Sequence, residues 1–257
     1  MKEDDSTIQL DVPRHPVALA CVGKTHQGGR AENQDALGWW EDENWFCAAV
    51  ADGAGGHEGG ALAASLAVHT LLEGFRALRS LDATALRQLA LQANAGILAE
   101  QGKCGLGGNM FSTVVFVAIQ KITWQVRWLH AGDSRLYWFC QSGLKGQTQD
   151  HAVQITQSAG KNQPPARSHQ LFSALGQPPE NLLVDVLDRN HFLVARDRLL
   201  LCTDGFWDSF SSRELTEKIG YPNPVVCDQY CNTLLAESLQ RAGSKSDNLT
   251  FVVVSLS

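Results

Sequence analysis

Four aspartates stand at the ends of apolar, strand-like runs, and each has a neighbour that lets the backbone turn sharply. These aspartates are Asp52, Asp133, Asp204 and Asp247. Carboxylates that converge from several strand ends provide the hard oxygen ligands that Mg²⁺ and Mn²⁺ require. Taken alone, an Asp-Gly pair is usually only a turn. The recurrence of such aspartates at separate apolar runs predicts instead a carboxylate cluster that binds divalent cations.

Two further features place phosphate-binding groups near the first of these aspartates. Asp52 opens a glycine-rich run that ends at Gly60, so the backbone can approach a ligand closely and turn a carbonyl toward it. Upstream, Arg30 and Asp35 lie on one short polar segment. A guanidinium and a carboxylate on the same loop suit a phosphate contact next to a metal ion.

The spacing of apolar residues predicts the elements that must position these groups. Strands are predicted at 17–25, 45–51, 110–120, 123–130, 136–140, 144–148, 182–187, 191–195, 199–203 and 248–256, with a polar loop at 26–42. Helices are predicted at 59–79, 83–101, 213–219 and 224–241. Because the helices come in pairs between groups of strands, the pattern favours an α+β fold of stacked layers over a parallel doubly wound fold.

The domain organisation follows from the same pass along the chain. Residues 1–16 are polar and carry two prolines, which indicates a loose lead-in, and residues 17–257 are expected to form a single domain. The segment around 150–179 has four prolines and only short apolar pieces, which predicts a flap-like surface insert with a helical turn. Such an insert often lies beside a site.

Composition narrows the classes of function and location. The net charge is −6 and no block of lysine or arginine is present, which argues against a nucleic-acid partner or a polybasic membrane anchor. No apolar run approaches the ~18 residues of a membrane helix, so we expect a cytoplasmic protein. The seven cysteines are interpreted as reduced thiols, because their number is odd and several lie inside apolar runs, and no set of them has zinc-ligand spacing. We expect a monomer, because the fold needs no partner to complete its core.

Seven motifs in fixed order carry a resemblance to a known family. They are Arg30-x-x-Asn-Gln-Asp35, Val50-Ala-Asp-Gly-Ala-Gly-Gly-His57, Ala131-Gly-Asp-Ser-Arg135, Gln149-Asp-His151, Ser173-Ala-Leu-Gly176, Leu200-Leu-Cys-Thr-Asp-Gly205 and Asp247-Asn-Leu-Thr250. Over nearly all of residues 17–256 the chain resembles the metal-dependent serine/threonine protein phosphatases, also called the PPM or type 2C phosphatases. The resemblance implies a four-layer α-β-β-α sandwich, in which two antiparallel β-sheets are flanked by pairs of antiparallel helices.

The resemblance also implies a metal site at one end of the sandwich, with two Mn²⁺ or Mg²⁺ ions and a weaker third ion. Its implied ligands are Asp52 as the bridge, the Gly53 carbonyl for one ion, Asp204 and Asp247 for the other, Asp35 through metal-bound waters, and Asp133 for the third ion. Arg30 would clamp the substrate phosphate. A hydroxide that bridges the two metals would attack phosphorus directly, without a covalent phosphoenzyme.

The resemblance leaves open which group donates a proton to the leaving group. Animal members of the family carry a histidine directly after the Asp-Gly pair, whereas this chain has Ala54 there and His57 three residues later, which is typical of bacterial members. We weigh His57 as the general acid against a structural role in which it satisfies loop backbone groups, with metal-bound water as the donor. Catalysis would then rest on Arg30, Asp35 and, in the first alternative, His57.

Two departures from the family pattern concern substrate selection and packing. The family usually has an arginine before Ala-Leu-Gly, where this chain has Ser173, and the insert after Asp150 is shorter than usual. Where Gly-Thr-Thr is common, the chain has Met110-Phe-Ser-Thr113, which keeps hydroxyl groups and loses a glycine.

The function predicted is a metal-dependent phosphatase that hydrolyses phosphoserine and phosphothreonine on proteins. Its expected partners are phosphoproteins and a cognate bacterial Ser/Thr kinase whose action it reverses. One alternative is a catalytically silent domain that binds phosphoproteins, although the intact aspartates argue against it. The other is a hydrolase of small phosphate esters or nucleotides, although no Gly-rich P-loop with Lys-Ser/Thr is present.

Overall fold

A computed structural model describes residues 18–55, 58–104, 109–157, 166–220 and 227–257. Within these residues the strands, numbered in chain order, are β1 Leu19–His26, β2 Asp35–Glu41, β3 Trp45–Ala54, β4 Phe111–Ser112, β5 Val114–Gln120, β6 Gln125–Ala131, β7 Arg135–Cys140, β8 Gly143–Gln147, β9 Ala152–Gln157, β10 Ala166–Leu171, β11 Asp185–Val186, β12 His191–Phe192, β13 Arg198–Cys202 and β14 Leu249–Leu256. The helices are α1 Glu58–Leu78, α2 Ala83–Cys104, α3 Asp204–Trp207, α4 Ser212–Ile219 and α5 Asp228–Ala242.

Two antiparallel sheets form the centre of the fold. The first sheet has the spatial order β1-β14-β13-β7-β8, and the second has the order β11-β6-β5-β3-β2, with β12 also paired to β6 and β4 to β3. Apolar side chains fill the space between the sheets, among them Phe46, Val117, Trp138, Leu199 and Val252. Strands such as β5 and β13 are buried along their length because each is covered on both faces.

Helices cover the outer face of each sheet. Helices α1 and α2 pack on the second sheet, where Ala64, Leu71 and Phe75 are fully buried, and α3, α4 and α5 cover the first sheet around Phe206 and Phe251. The predicted four-layer α-β-β-α sandwich is therefore confirmed. The two helical layers form because the helices carry apolar residues that recur along one face.

Helix α1 is unusual in its composition. By length and apolar content alone, the segment Gly59–Leu78 could cross a membrane. Its small residues Ala63, Ala64 and Ala67 are instead fully buried in the core between the helices and the second sheet. A stripe of alanines lets the helix axis approach the sheet closely, which is the packing of a core helix.

The structure adds a strand to a predicted loop and a hairpin to the predicted insert. The segment predicted as a polar loop at 26–42 contains strand β2, whose residues pair in register with β3 from Asp35↔Asp52 to Glu41↔Phe46. Its side chains are only partly buried, and its apolar run at 36–40 is short and includes Gly38, which weakens a strand pattern. In the predicted flap-like insert, the described part is a hairpin in which β9 and β10 pair with each other, followed by a short 3-10 turn at Pro179–Asn181. The predicted lead-in at 1–16 lies outside the described residues.

Candidate metal and phosphate site

The first two predicted ligands meet across the β2–β3 pair. Asp35 begins β2 and lies directly opposite Asp52 in the antiparallel register. Directly paired residues in such a ladder project on the same face with their Cβ atoms about 5 Å apart. The pairing therefore brings together two carboxylates that are 17 positions apart in sequence.

The other pair of ligands comes from the first sheet. Asp204 follows β13 and Asp247 precedes β14, and these strands are antiparallel neighbours, so both aspartates lie at the same end. The two turns touch: a Cβ atom added to Gly205 would lie only 2.1 Å from the carbonyl oxygen of Asn248 and 3.2 Å from Cβ of Asp247. Only glycine permits this approach.

The two sheets bring their carboxylates into one buried group. Burial raises the pKa of Asp52 well above its usual range, and four neighbouring carboxylates raise it further. In decreasing order of effect these neighbours are Asp204, Asp35, Asp133 and Asp247. Asp52 is therefore at the electrostatic centre of the cluster, as a ligand shared between two ions would be.

Two buried oxygen atoms of the cluster have no hydrogen-bond partner. They are Oδ1 of Asp35 and Oδ1 of Asp204, whereas Oδ2 of Asp35 accepts a hydrogen bond of 2.9 Å from the Thr203 hydroxyl. Burial raises the pKa of Asp35 to about 7, and it also raises the pKa of Asp204. Unpartnered carboxylate oxygens in a buried acidic group are the donor set of a hard divalent cation, so the residues present fit Mn²⁺ or Mg²⁺.

Gly53 connects this cluster to helix α1. A Cβ atom at this position would lie 1.9 Å from the carbonyl oxygen of Gly60, so the strand and the start of the helix are in backbone contact. The Gly53 N–H donates to the Gln34 carbonyl at 3.1 Å, and Gly53 and Ala54 line the cavity of the site. His57 lies outside the described residues.

A cavity of about 650 Å³ opens beside the cluster. Arg30 lines it together with Asp52, Gly53 and Asp247. The Arg30 side chain is more than half exposed, and its Nη2 atom contacts Oδ2 of Asp247 at 2.5 Å. A flexible guanidinium next to the carboxylates can reach a phosphate in the cavity with two parallel hydrogen bonds.

A side chain from a helix that covers the first sheet holds Asp133 at the edge of the carboxylate cluster. It is buried, and burial together with Asp204 raises its pKa to about 7. Its backbone carbonyl accepts a hydrogen bond of 3.0 Å from the Trp207 indole. The structure thus brings together all the predicted ligands at one end of the sandwich.

Asn248 positions the site and was not singled out from the sequence. Its amide accepts a hydrogen bond from the Gln34 N–H at 2.8 Å and donates to the carbonyls of Gln27 and Glu32 at 2.8 and 2.9 Å. One buried side chain therefore fastens the loop that carries Arg30 to the turn that carries Asp247. In the sequence, the sign of this role was the position of Asn248 in the last of the seven motifs.

A second group of potential metal ligands lies nearby, formed by His130, His151 and Asp185. The Gly132 N–H donates to Nδ1 of His151 at 3.3 Å, so a neutral His151 carries its proton on Nε2, 3.2 Å from Asp185. That proton occupies the atom a metal would need. His130 contacts the Gln149 carbonyl at 2.8 Å through Nε2. The two histidines hold residues 149–151 against the turn that carries Asp133, and this role is architectural.

The departure at Ser173 also has a structural explanation. Its buried hydroxyl donates to the Leu183 carbonyl at 3.0 Å and accepts from the Leu183 N–H at 2.8 Å. Both partners are backbone groups on the chain that follows. Ser173 therefore closes a loop, and it does not project a charge toward a substrate as an arginine would.

Comparisons with known proteins agree with this geometry. The family model described as Protein phosphatase 2C matches residues 22–242. The Serine/threonine phosphatase stp of Listeria monocytogenes is 29% identical over 206 residues, which are 73% of this chain and 77% of that protein.

Solved structures share the fold. One is described as PppA, a key regulatory component of T6SS in Pseudomonas aeruginosa; it is 27% identical, covers 94% of this chain and 99% of its own, and has a TM-score of 0.71. Another, the catalytic domain of the serine threonine protein phosphatase PstP in complex with 2 manganese ions, is 21% identical, covers 93% and 98%, and has a TM-score of 0.65.

Proposed function

This chain belongs to the protein phosphatase 2C family, and on that premise we propose that its carboxylate cluster holds two Mn²⁺ or Mg²⁺ ions. The protein is a serine/threonine protein phosphatase, and metal-dependent dephosphorylation of proteins is the general activity of the family. The observation that carries the metal assignment is the convergence of four aspartates from both sheets, two of them with unpartnered buried oxygens. When bound, the ions supply a water molecule that is nucleophilic at neutral pH.

The roles of the individual aspartates follow their positions. Asp52, whose pKa all the other carboxylates of the cluster raise, would be the shared ligand, and Gly53 next to it would offer a carbonyl to one ion. Asp204 and Asp247, on touching turns, would hold the other ion. Asp35, whose Oδ1 has no protein partner, would orient a water molecule, and Asp133 would contribute to a third, weaker ion.

Arg30 is the phosphate-binding group of the cavity. It is the guanidinium that lines the cavity beside Asp52 and Gly53. Two N–H donors on one plane match two phosphate oxygens and neutralise the charge that spreads over them during hydrolysis. The substrate phosphate therefore takes the place of Asp247 as the partner of Arg30.

The leaving oxygen requires a proton, and the described residues restrict its source. Ala54 cannot donate one, and the two donors weighed from the sequence are His57 and a metal-bound water molecule. His57 as general acid stays a prediction from the sequence. Its replacement by Gln would lower the rate more for poor leaving groups such as threonine than for p-nitrophenol if the prediction is right.

We further propose that the substrates are cytoplasmic phosphoproteins made by a bacterial Ser/Thr kinase, and that the enzyme acts on them as a monomer. The relative in Listeria monocytogenes carries a Ser/Thr phosphatase name, which supports this class of substrate. The cluster and Arg30 come from one chain, so no second copy is needed to complete the site.

The test is phosphate release from a phosphothreonine peptide. The protein with Mn²⁺ should turn over, EDTA should abolish the activity, and Asp204→Asn should lower it by roughly a hundredfold or more because a ligand charge is lost. Asp188→Asn, an exposed aspartate between β11 and β12, is the matched control and should keep full activity. Activity with Mn²⁺ no higher than that of Asp204→Asn would remove the assignment, and nucleotides that outcompete the peptide would favour small phosphate esters as substrates.

A further inference from the structure

A second cavity adjoins the metal and phosphate site. It has a volume of about 480 Å³ and shares Asp247 with the cavity that contains Arg30. Its lining includes Asp204, Asp208, Ser209, Arg241 and Lys245. Because the two cavities meet at Asp247, a substrate whose phosphate contacts Arg30 can place a neighbouring residue in the second cavity.

The loop of Lys245 is in backbone contact with the loop of Arg30. The Gly29 N–H donates to the Ser246 carbonyl at 2.9 Å. A Cβ atom on Gly29 would lie 2.3 Å from the Ser244 carbonyl oxygen and 3.2 Å from Cα of Lys245. Arg30 follows Gly29 directly, so the two cationic residues are held on adjoining loops on either side of Asp247.

The charges in the second cavity are not equivalent. The Arg241 guanidinium is already paired with Glu214 at 2.7 Å and Glu237 at 2.8 Å. Lys245 is exposed, and within the described part of the chain its side chain has no hydrogen bond or ion pair. Asp204, Asp208 and Asp247 line the same cavity, so the net charge of the lining does not favour an anion, and any such preference must come from the position of Lys245.

We propose that the second cavity is a subsite for an additional anionic group of the substrate, and that Lys245 is the residue that recognises it. The preferred substrates are phosphoproteins with a carboxylate or a second phosphate next to the phosphorylated serine or threonine. This inference rests on the proposed function, since it takes the phosphate contact at Arg30 as the anchor.

The test compares kcat/KM for three phosphothreonine peptides that differ only in the flanking residues: neutral, glutamate-containing and doubly phosphorylated. An exposed charge pair of this kind should contribute about two- to fivefold. Lys245→Ala should therefore lower kcat/KM by that factor for the anionic peptides, through KM, and leave the neutral peptide unchanged. Lys245→Glu should reverse the preference, and added salt should reduce the preference of the unmodified protein.

Arg189→Ala provides the matched control, because it removes one exposed positive charge at the opposite end of the sandwich. Its neighbour Asn190 accepts a hydrogen bond from Gln125 at the start of β6, whereas Asp133 follows the end of that strand. This variant should leave the ranking of the three peptides unchanged.

The possible results distinguish the proposed subsite from the proposed function. Loss on only one of the two anionic peptides supports the subsite and identifies the anion as a carboxylate or a phosphate. An equal loss on all three peptides, or no loss with Lys245→Glu, overturns the subsite. Absence of Mn²⁺-dependent turnover of the neutral peptide by the unmodified protein would instead count against the proposed function.

Discussion

At the scale of single residues, the backbone of Asp52 is fixed by hydroxyl groups from β4 and the residue after it. The Asp52 N–H donates to the Thr113 hydroxyl at 3.0 Å, and its carbonyl accepts from the Thr113 N–H at 2.9 Å and from the Ser112 hydroxyl at 3.2 Å. The Thr113 hydroxyl also contacts the Ser134 hydroxyl at 2.7 Å, next to Asp133. The hydroxyl groups kept in the segment that departs from Gly-Thr-Thr thus hold the backbone of Asp52 and contact the residue next to Asp133, two of the proposed metal ligands.

Thr113→Val should destabilise the protein by about 1–3 kcal/mol, because the isosteric methyl group leaves the buried Asp52 N–H without an acceptor. It should also raise the Mn²⁺ concentration needed for half-maximal activity, since the bridging ligand is less firmly placed. Denaturant unfolding and a Mn²⁺ titration of activity measure both effects. Thr233→Val, in which the lost hydroxyl contacts only a helix carbonyl on exposed α5, should change neither by much. Equal behaviour of the two variants would argue against the positioning role.

Substitution of Arg30 tests whether the phosphate is held by two parallel hydrogen bonds. Arg30→Lys keeps the charge and loses one planar donor pair, so kcat/KM for a phosphothreonine peptide should fall about tenfold, and Arg30→Ala should lower it about a hundredfold. Steady-state kinetics at saturating Mn²⁺ give both numbers. Arg189→Lys serves as the control and should behave as the unmodified protein. Full activity of Arg30→Lys would mean that only a point charge is required.

At the scale of elements, three segments meet around one guanidinium. Arg135 of β7 makes a bidentate ion pair with Asp150 at 2.8 and 2.7 Å, and its guanidinium lies 3.4 Å from the centre of the Trp207 ring. Trp207, at the end of α3, in turn donates to the carbonyl of Asp133. The ion pair therefore joins the strand that follows Asp133 to the chain that enters the β9–β10 hairpin.

Breaking this pair should affect stability and the edge of the metal site together. Both partners are mostly buried, so Arg135→Met should cost about 3 kcal/mol by leaving Asp150 unpaired. Asp150→Asn, which retains an acceptor, should cost less. Arg213→Met removes one member of an exposed helix ion pair with Glu217 and should lower the unfolding free energy far less than Arg135→Met, because exposed ion pairs add little stability. Urea unfolding of the three variants measures these changes in the free energy of unfolding. If Arg135→Met loses no more of it than Arg213→Met does, the ion pair of Arg135 with Asp150 does not stabilise the fold in this way.

At the scale of the whole molecule, the site joins the two sheets. Asp35 and Asp52 belong to the second sheet, whereas Asp204 follows strand β13 of the first sheet and Asp247 precedes strand β14 of that sheet. Like charges gathered from both sheets oppose the packing of the sandwich unless protons or cations neutralise them. Metal binding and the stability of the fold are therefore coupled.

This coupling predicts a pH-dependent effect of Mn²⁺ on thermal stability. In the metal-free fold the pKa values of Asp35 and Asp133 are raised to about 7, above the ordinary value near 3.9 of an unfolded chain. Between these values the folded state holds protons that the unfolded state has lost, so the unfolding free energy falls as pH rises toward 7.

Mn²⁺ replaces those protons, so the increase in Tm that Mn²⁺ produces over EDTA should be larger at about pH 8.5 than at about pH 5.5. Thermal unfolding at both pH values, once with Mn²⁺ and once with EDTA, measures this increase in Tm. Asp204→Asn, which removes one ligand charge, should show a smaller increase at both. An increase in Tm that is the same at both pH values would show that these carboxylates are not where the ion binds.

Much of the fold and the site could be predicted from the sequence because the relevant signals are local. The alternation of apolar runs and the periodicity of the helical segments predicted stacked layers of helices and sheets, and the resemblance to a known family implied four of them. The aspartates at strand ends predicted a carboxylate cluster, and the structure brings these residues together. Strand β2 was missed because its apolar run at 36–40 is short and includes Gly38, which weakens a strand pattern. The roles of Thr113 and Trp207 were missed because each is set by a hydrogen bond to a residue more than 60 positions away.

The sequence by itself determined which residue types carry the chemistry, because strand ends, glycine turns and a nearby guanidinium are visible in the order of residues. Only the tertiary structure decided how these groups meet: the register that sets Asp35 against Asp52, the touching turns of Asp204 and Asp247, and the adjoining loops of Arg30 and Lys245. Such contacts depend on the packing of two sheets against each other, and packing is a property of distances in space that no single segment of the chain records.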